Sequence, residues 1–167
     1  MKKMTQENLK STFSGESQAH MRYLIFAGIA DREKNPNLAR LFRAIAFAEL
    51  VHAKNHYQVL GGIGPSTENL QTSIDGETFE VEEMYPAYKA VAELQDEKEA
   101  QRTTYWALQA EKIHAAMYQK AKQAIDQGKD VELGDVLICE FCGYTVEGKA
   151  PDKCPICGAS KDKFRKF

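Results

Sequence analysis

Two copies of a Glu-x-x-His pattern constrain this sequence more than any other feature. Glu49 precedes His52 in Phe-Ala-Glu-Leu-Val-His-Ala-Lys, and Glu111 precedes His114 in Gln-Ala-Glu-Lys-Ile-His-Ala-Ala. Both segments have apolar residues at helical spacing, so each pair lies on the face that a helix would bury. Residues three apart project from one side of a helix, and unpaired charges are strongly unfavourable in a core. The two pairs therefore predict metal ligands inside a helical protein.

The composition is that of a globular protein and excludes two kinds of partner. Of the 167 residues, 43% are hydrophobic and 28% are charged, and the formal net charge is -2. This balance gives no positive field for nonspecific nucleic-acid binding. The basic N-terminal residues are followed by no apolar run, and no segment approaches the roughly 20 apolar residues of a membrane-spanning helix. We therefore expect a cytoplasmic protein that binds neither nucleic acid nor membrane.

Helical periodicity extends through the first 128 residues, in four long segments. The segments are predicted to begin near Thr5, Pro36, Glu77 and Asp96. Asn35 can cap the second helix, Asp96 can cap the fourth, and Pro86 should kink or locally open the third. Residues 61–76 would then form a long crossover connection. Four helices with one long crossover predict a ferritin-like four-helix bundle over residues 1–130.

Each Glu-x-x-His pair has glutamate partners on other predicted helices. Glu16 lies on the inner stripe of the first helix, and Glu77 and Glu80 lie at the start of the third. Together with the two pairs, these residues supply the ligand set of a di-iron or di-manganese bundle. Many oxygen ligands with few imidazoles suit iron or manganese better than tetrahedral zinc. Tyr23 and Tyr85 are weaker candidates, whose phenols could hydrogen-bond a ligand near the metals.

All four cysteines lie near the C-terminus, in two Cys-x-x-Cys-Gly motifs. Cys139 and Cys142 form the first motif, and Cys154 and Cys157 form the second. Four thiolates at this spacing predict a tetrahedral metal site, and the spacing alone fits zinc and mononuclear iron equally. The segment is too short to fold around an apolar core, so the metal would stabilise it. We therefore predict a second, small irregular or β domain over residues 136–167.

Taken together, the motifs resemble those of the rubrerythrin family over nearly the whole chain. The matching segments are Gly15-Glu16-Ser17-Gln18-Ala19, both Glu-x-x-His pairs, Glu77-x-x-Glu80 followed by Glu83-Met84-Tyr85-Pro86, and the terminal Cys-Pro-x-Cys-Gly. The resemblance implies a non-haem di-iron bundle joined to a rubredoxin-like domain. The expected activity is that of a peroxidase, an oxidoreductase that reduces hydrogen peroxide in oxidative-stress defence.

The resemblance also implies a role for each metal ligand. Glu49 and Glu111 would bridge two irons, Glu16 would bind the first, and Glu77 and His114 would bind the second. In the family, the first iron is held by the residue matching Glu80 when oxidised, and by the residue matching His52 when reduced. A third iron would lie among the four cysteines and relay electrons, although zinc could replace iron in a foreign host.

The resemblance implies partners, and two other functions remain open. The partners would be hydrogen peroxide and an electron donor such as rubredoxin or an NAD(P)H-dependent reductase, and we expect a homodimer or higher homo-oligomer. A ferritin-like iron oxidase or storage protein would use the same bundle but has no need of an electron relay. A zinc-ribbon binding module on a helical scaffold would need neither iron nor electron transfer.

Overall fold

The computed structural model describes all 167 residues, and five α-helices account for most of them. The helices are α1 (Lys3–Arg32), α2 (Pro36–Val59), α3 (Ser66–Phe79), α4 (Tyr85–Leu94) and α5 (Lys98–Asp126). A π-helical segment, Glu80–Met84, joins α3 to α4, so the two make one long helical segment. A small sheet follows α5. The predicted fold class, a four-helix ferritin-like protein with a small β domain at its end, is confirmed.

The chain divides into two compact units, Met1–Gly64 and Pro65–Phe167. The first unit contains α1 and α2, and the second contains the remaining helices and the sheet. The predicted domains, 1–130 and 136–167, instead separate the helical part of the chain from the cysteine-rich part, and that division stays a prediction. None of the helices combines the length and the apolar character needed to cross a lipid bilayer.

In the first unit, α1 and α2 pack through small side chains. The buried residues of α2 are Ala39, Ala46 and Ala53, which are seven positions apart and therefore line one side of the helix. Alanine lets two helix backbones approach closely because its side chain is a single methyl group. The Nδ1 atom of His20 in α1 lies 2.7 Å from the carbonyl oxygen of Ala46 and links the helices at the middle of this seam.

Large apolar side chains remain on the outside of the first unit. Ile25 in α1 and Leu41 and Phe47 in α2 are all more than half exposed. A contiguous patch of such residues on a protein surface is typical of an interface with another protein.

In the second unit, α3 and α4 both pack against α5. Helix α3 begins at Ser66, so the predicted start near Glu77 is wrong, and the connection covers only residues 60–65. The half-buried side chains of Leu70 and Ile74 lie one turn apart and give α3 a narrow apolar stripe. Gly76 lies within this helix, where packing outweighs its helix penalty of about 1 kcal/mol.

The predicted start and break signals of the helices have mixed outcomes. Asn35 precedes α2 as predicted, but its side chain makes no capping hydrogen bond. The prediction of an Asp96 cap is wrong, because Asp96 has a left-handed φ of 55° in the turn and α5 begins two residues later. Pro86 lies just after the π-helical segment, which confirms the predicted local opening, since proline has no N–H to donate to the preceding turn.

The cysteine-rich region forms a three-stranded antiparallel sheet of β1 (Val136–Cys139), β2 (Thr145–Glu147) and β3 (Phe164–Lys166), in the order β2-β1-β3. Its core consists of buried cysteines, against which Trp106 of α5 and two aromatic side chains of the sheet region pack. A core built around sulfur atoms is what the sequence predicts for a domain stabilised by metal.

Candidate metal centres

The first triad consists of Glu16 on α1 and of Glu49 and His52 on α2. One ligand atom from each residue lies within 4.8 Å of the others. The Nδ1 atom of His52 lies 2.9 Å from a Glu49 carboxylate oxygen and 4.0 Å from a Glu16 oxygen. The close packing of α1 on α2 therefore places two carboxylates and one imidazole around a single point.

The second triad repeats this arrangement with Glu77 at the end of α3 and with Glu111 and His114 on α5. The Nδ1 atom of His114 lies 2.6 Å from a Glu111 carboxylate oxygen and 3.9 Å from Glu77 Oε2. The His114 side chain is 29% exposed, whereas that of His52 is 54% exposed. The second triad is thus the more enclosed of the two.

The electrostatics of Glu77 indicate that the second triad suits a cation. Burial, followed by a hydrogen bond with Glu111 and by the charges of Glu111 and Glu80, raises the pKa of Glu77 to about 8. Its Oε2 atom is buried and has no hydrogen-bond partner. A buried, unpartnered carboxylate oxygen is rare in native proteins unless an ion or water satisfies it. A metal ion would compensate these carboxylates in place of the proton.

Two further candidates from the sequence are electrostatically linked to the second triad. The pKa of Glu80 is raised by burial and then by Glu111, while His114 acts to lower it. Burial also raises the pKa of Tyr85, and the charges of Glu80 and Glu111 add to the effect. Glu80 therefore retains its proton to higher pH than usual, which is the state needed to donate a proton, whereas the shift at Tyr85 makes its phenol a weaker acid.

Tyr23 has different surroundings from Tyr85. Its ring lies with those of Phe26 and Phe42, at centroid distances of 6.4 Å and 6.3 Å. These are ordinary distances for aromatic packing. The structure therefore places Tyr23 in an apolar contact of the first unit.

The four cysteine sulfurs form a compact cluster with no disulfide. The Sγ atoms of Cys139 and Cys157 are 3.6 Å apart, and those of Cys142 and Cys154 are 3.5 Å apart. These separations are far longer than a disulfide bond and close to the edge of about 3.8 Å expected for a tetrahedron of thiolates around one ion. The cluster is therefore preformed for a single tetrahedral metal.

Two similar turns present these sulfurs. Gly143 and Gly158, each the residue after a Cys-x-x-Cys pair, have left-handed φ angles of 79° and 76°, which glycine adopts without strain. Their N–H groups donate to the carbonyl oxygens of Cys139 and Cys154, each at 2.9 Å. Burial raises the pKa of the Cys142 thiol. The resulting cost of burying unpaired thiolates is removed when they bind a metal.

Sequence reasoning missed one polar residue that contacts a triad. The Oγ1 atom of Thr145, on β2, lies 2.8 Å from Nε2 of His114 and 3.0 Å from the carbonyl oxygen of Gly143. Thr145 is only 3% exposed. Its one signal in the sequence is its position just after the first cysteine motif, and this position alone does not reveal a contact with α5.

The donor sets fit iron at both kinds of site. The triads contribute four carboxylates and two imidazoles, an oxygen-rich set that suits two iron ions, and the cysteines contribute four thiolates for a third ion. The predicted iron cofactors are therefore confirmed at the level of ligand chemistry.

Comparisons with known proteins cover both parts of the chain. The rubrerythrin family model matches residues 7–122, and the model of the rubrerythrin rubredoxin-like domain matches residues 138–165. Rubrerythrin-2 of Clostridium acetobutylicum is 46% identical, over 98% of this chain and 97% of that protein. Nigerythrin of Nitratidesulfovibrio vulgaris is 34% identical, over 98% of this chain and 86% of that protein.

Solved structures of nigerythrin also resemble this chain. Its mixed-valence state aligns with a TM-score of 0.53 at 34% identity, and its fully reduced, all-ferrous state aligns with a TM-score of 0.54 at 33% identity. Each alignment covers 98% of this chain and 86% of the nigerythrin chain.

Proposed function

The chain belongs to the rubrerythrin family, and on this premise we propose that it is a non-haem di-iron peroxidase that reduces hydrogen peroxide to water. The observation that best supports this proposal is the presence, in one chain, of two carboxylate and histidine triads and a four-cysteine site. A dinuclear centre suits a two-electron reaction at an O–O bond, and a four-thiolate iron suits one-electron transfer.

The proposed ligand assignment follows the donor atoms of the triads. Glu49 and Glu111 are the bridging carboxylates, Glu16 is the terminal ligand of the first iron, and Glu77 and His114 are the terminal ligands of the second. Support for this assignment comes from Glu111, whose carboxylate interacts with both Glu77 and His114. These contacts place Glu111 beside both proposed ligands of the second iron, and its bridging role is proposed on family resemblance.

The reaction needs two electrons and two protons for each molecule of peroxide. When bound, two ferrous ions would supply the two electrons that break the O–O bond. The residues of the chain supply the protons, and Glu80 and Tyr85 are the proposed donors: the raised pKa of Glu80 favours its protonated form, and the phenol of Tyr85 carries a proton at neutral pH. Tyr23 remains a proposed participant on family resemblance alone.

His52 and Glu80 are proposed to alternate as ligands of the first iron between the reduced and the oxidised states. The exposure of the His52 side chain, 54%, supports this proposal. An imidazole on an open surface can change its side-chain rotamer at little energetic cost, because few neighbours restrict it. His52 is thus suited to bind in one state and move away in the other.

The four cysteines are proposed to hold an iron that passes electrons, one at a time, to the dinuclear centre. A single substitution, Cys157→Ser, tests this relay. We expect pre-reduced protein to be oxidised by one equivalent of peroxide at the wild-type rate, whereas steady turnover with a reductase falls at least about tenfold. Single-turnover and steady-state assays on one preparation separate the two steps. Unchanged steady turnover in a variant without the thiolate iron would reject the relay.

The activity itself is tested by anaerobic stopped-flow of the reduced protein. A peroxidase is oxidised much faster by hydrogen peroxide than by dioxygen, whereas a ferritin-like iron oxidase shows the opposite order. A storage protein would also accumulate iron well beyond three ions per chain. The colour of the thiolate site settles the zinc-ribbon alternative, because ferric thiolate absorbs strongly in the visible and zinc thiolate is colourless.

The proposed setting is the cytoplasm, where the four free thiols remain reduced. The electron donor is proposed to be a rubredoxin or an NAD(P)H-dependent reductase. A homodimer or higher homo-oligomer is supported by the large exposed apolar residues of α1 and α2, such as Ile25 and Phe47. Analytical ultracentrifugation measures the oligomeric state, and a monomer at micromolar concentration would reject this part of the proposal.

A further inference from the structure

We propose that Thr145 is a positioning residue for the second triad, and that it holds His114 in the tautomer whose Nδ1 atom binds metal. The proposal rests on the proposed function, in which His114 is an iron ligand. It concerns the hydrogen-bonded chain from Gly143 through Thr145 to His114, which joins the first cysteine motif to α5.

The direction of these hydrogen bonds follows from what each group can do. The carbonyl oxygen of Gly143 only accepts, so the Thr145 hydroxyl donates its single proton to it across 3.0 Å. The hydroxyl then accepts from His114 across 2.8 Å, which requires a proton on Nε2. Both bonds can therefore form together only when His114 Nε2 is protonated.

A proton on Nε2 determines what the other ring nitrogen can do. A neutral imidazole has one N–H, so Nδ1 of His114 then has a free lone pair. Nδ1 is the atom that faces the carboxylates, at 2.6 Å from Glu111 and 3.9 Å from Glu77. With Nδ1 unprotonated, the short contact needs either a proton on the Glu111 carboxyl group or a metal ion bound to both atoms. The hydrogen-bonded chain is thus complete in the one neutral tautomer that can offer Nδ1 to a metal in this triad.

Thr145 is well placed for this role because its surroundings restrict it. It is 3% exposed, so water cannot readily replace it as the partner of His114. It lies in β2 opposite Ile138 of β1, which fixes its backbone within the sheet. A hydrogen bond from a metal-binding histidine to a fixed acceptor commonly orients the ring and strengthens the metal bond.

The contact between the first cysteine motif and α5 fixes Gly143, the other end of the hydrogen-bonded chain. Gly143 has no side chain, and a Cβ atom there would lie 3.8 Å from the Cβ of Ala110, one helical turn before His114. Ala110 is 3% exposed. Further along the same strand and helix, Glu147 forms an ion pair with Lys120 at 3.3 Å. The backbone that carries Thr145 is therefore held against α5 on both sides of His114.

Three variants of the full-length protein test the proposal. Thr145→Val keeps the shape and removes the hydroxyl, whereas Thr145→Ser keeps the hydroxyl. Thr103→Val is the matched control, because Thr103 is an exposed threonine of α5 whose hydroxyl donates to the Ala100 carbonyl of its own helix. Zinc is the probe ion, since it is diamagnetic and allows the ring nitrogens of ¹⁵N-labelled histidine to be observed by NMR.

The expected results concern His114 itself. In the zinc-loaded wild type, His114 Nε2 is protonated, its proton exchanges slowly with water, and Nδ1 has the shift of a metal ligand. In Thr145→Val, the Nε2 proton exchanges faster, and the zinc concentration that half-saturates the His114 signal rises about 10- to 100-fold. Thr145→Ser and Thr103→Val retain wild-type zinc affinity. Zinc bound to the four cysteines serves as the measure of correct folding.

Two outcomes would overturn the proposal. One is an unprotonated or rapidly exchanging Nε2 in the zinc-loaded wild type, which is decisive even if Thr145→Val does not fold. The other is wild-type zinc affinity in a folded Thr145→Val. Neither measurement uses peroxide. A protein that shows the expected Thr145 effect and has no peroxidase activity would therefore contradict only the proposed function.

Discussion

The two triads have the same ligand types and similar internal distances, but their surroundings differ. In each, a histidine Nδ1 lies within 3 Å of the glutamate three residues earlier and about 4 Å from a glutamate on another helix. His52 is 54% exposed, whereas His114 is 29% exposed and bonds through its second nitrogen to Thr145. The repeated sequence pattern therefore produces one open triad and one enclosed triad.

This difference shows that ligand spacing alone does not determine a residue's role. The Glu-x-x-His spacing places a carboxylate and an imidazole together on either helix, because that follows from helix geometry. Whether the imidazole is held or can move depends on what covers the helix at that point. Over His114 the cover is the strand that contains Thr145, which is more than thirty residues away in the sequence.

The largest effect should come from Glu49 and Glu111, the two glutamates that are proposed to bridge the bundle irons. We expect Glu49→Gln and Glu111→Gln each to lose both bundle irons and nearly all peroxide turnover, because an amide cannot replace a carboxylate that serves two ions. Iron analysis after reconstitution measures the loss, with the thiolate iron as the internal control. Retention of one bundle iron in either variant would show that the two triads bind metal independently.

A smaller, unequal effect should distinguish the histidines. We expect His114→Ala to lose iron in the oxidised protein. In contrast, His52→Ala should keep oxidised iron and slow steady turnover on the order of tenfold to hundredfold. The reason is that His114 is held in place by Thr145, whereas His52 is proposed to bind only after reduction. Iron content and turnover are measured together, and equal iron loss in the two variants would remove the distinction.

The pH dependence of the metal-free protein probes the enclosed triad. In the folded, metal-free protein the pKa of Glu77 is about 8, whereas the ordinary value for a glutamate is 4.5. Glu77 is therefore protonated at neutral pH in the folded protein. The associated stability is fully present below pH 4.5 and is lost as pH rises through about 8. The free energy of unfolding of the wild type should therefore fall relative to Glu77→Gln between pH 5 and 9. We expect a change on the order of 1–2 kcal/mol after allowance for solvent screening.

Urea unfolding in chelator at several pH values measures this difference. Metal binding should displace the same proton, so zinc binding near pH 7 should release more protons from the wild type than from Glu77→Gln. Parallel stability curves for the two proteins would show that Glu77 is already ionised at neutral pH.

The smallest effect should come from the helix pair that forms the open triad. His20→Ala removes the hydrogen bond to the Ala46 carbonyl, one helical turn from both Glu16 and Glu49. We expect a loss of about 1 kcal/mol in the free energy of unfolding and no loss of bundle iron. Thermal unfolding and iron analysis provide the check. Substantial iron loss would mean that this single hydrogen bond holds the first triad together.

The sequence predicted local features of this molecule better than distant ones. Helical periodicity located α1, α2 and α5, and the Glu-x-x-His spacing identified the histidine and one glutamate of each triad. Both features depend on residues within one or two helical turns. The start of α3 was missed because its apolar stripe is short and Gly76 resembles a loop residue, while the packing that stabilises it comes from α5.

The wrong prediction for Asp96 and the missed contact of Thr145 have a similar physical origin. Aspartate is a common capping residue, but Asp96 lies in the left-handed turn after α4, and α5 begins two residues later. Thr145 is an ordinary strand residue in the sequence, and it acquires a partner only when β2 lies against α5. In both cases, the role of the residue depends on the position of a neighbouring segment of the chain, and local sequence patterns do not specify that position.

The row of alanines at 39, 46 and 53 also has a consequence for how the family can vary. Because each of these methyl groups is fully or almost fully buried, a larger branched or aromatic side chain there would push α1 and α2 apart. That separation would move Glu16 away from Glu49 although neither residue had changed. We therefore expect these three positions to accept only glycine, alanine or serine in homologues that keep the first triad, while relatives that lost the metal are free to diverge there.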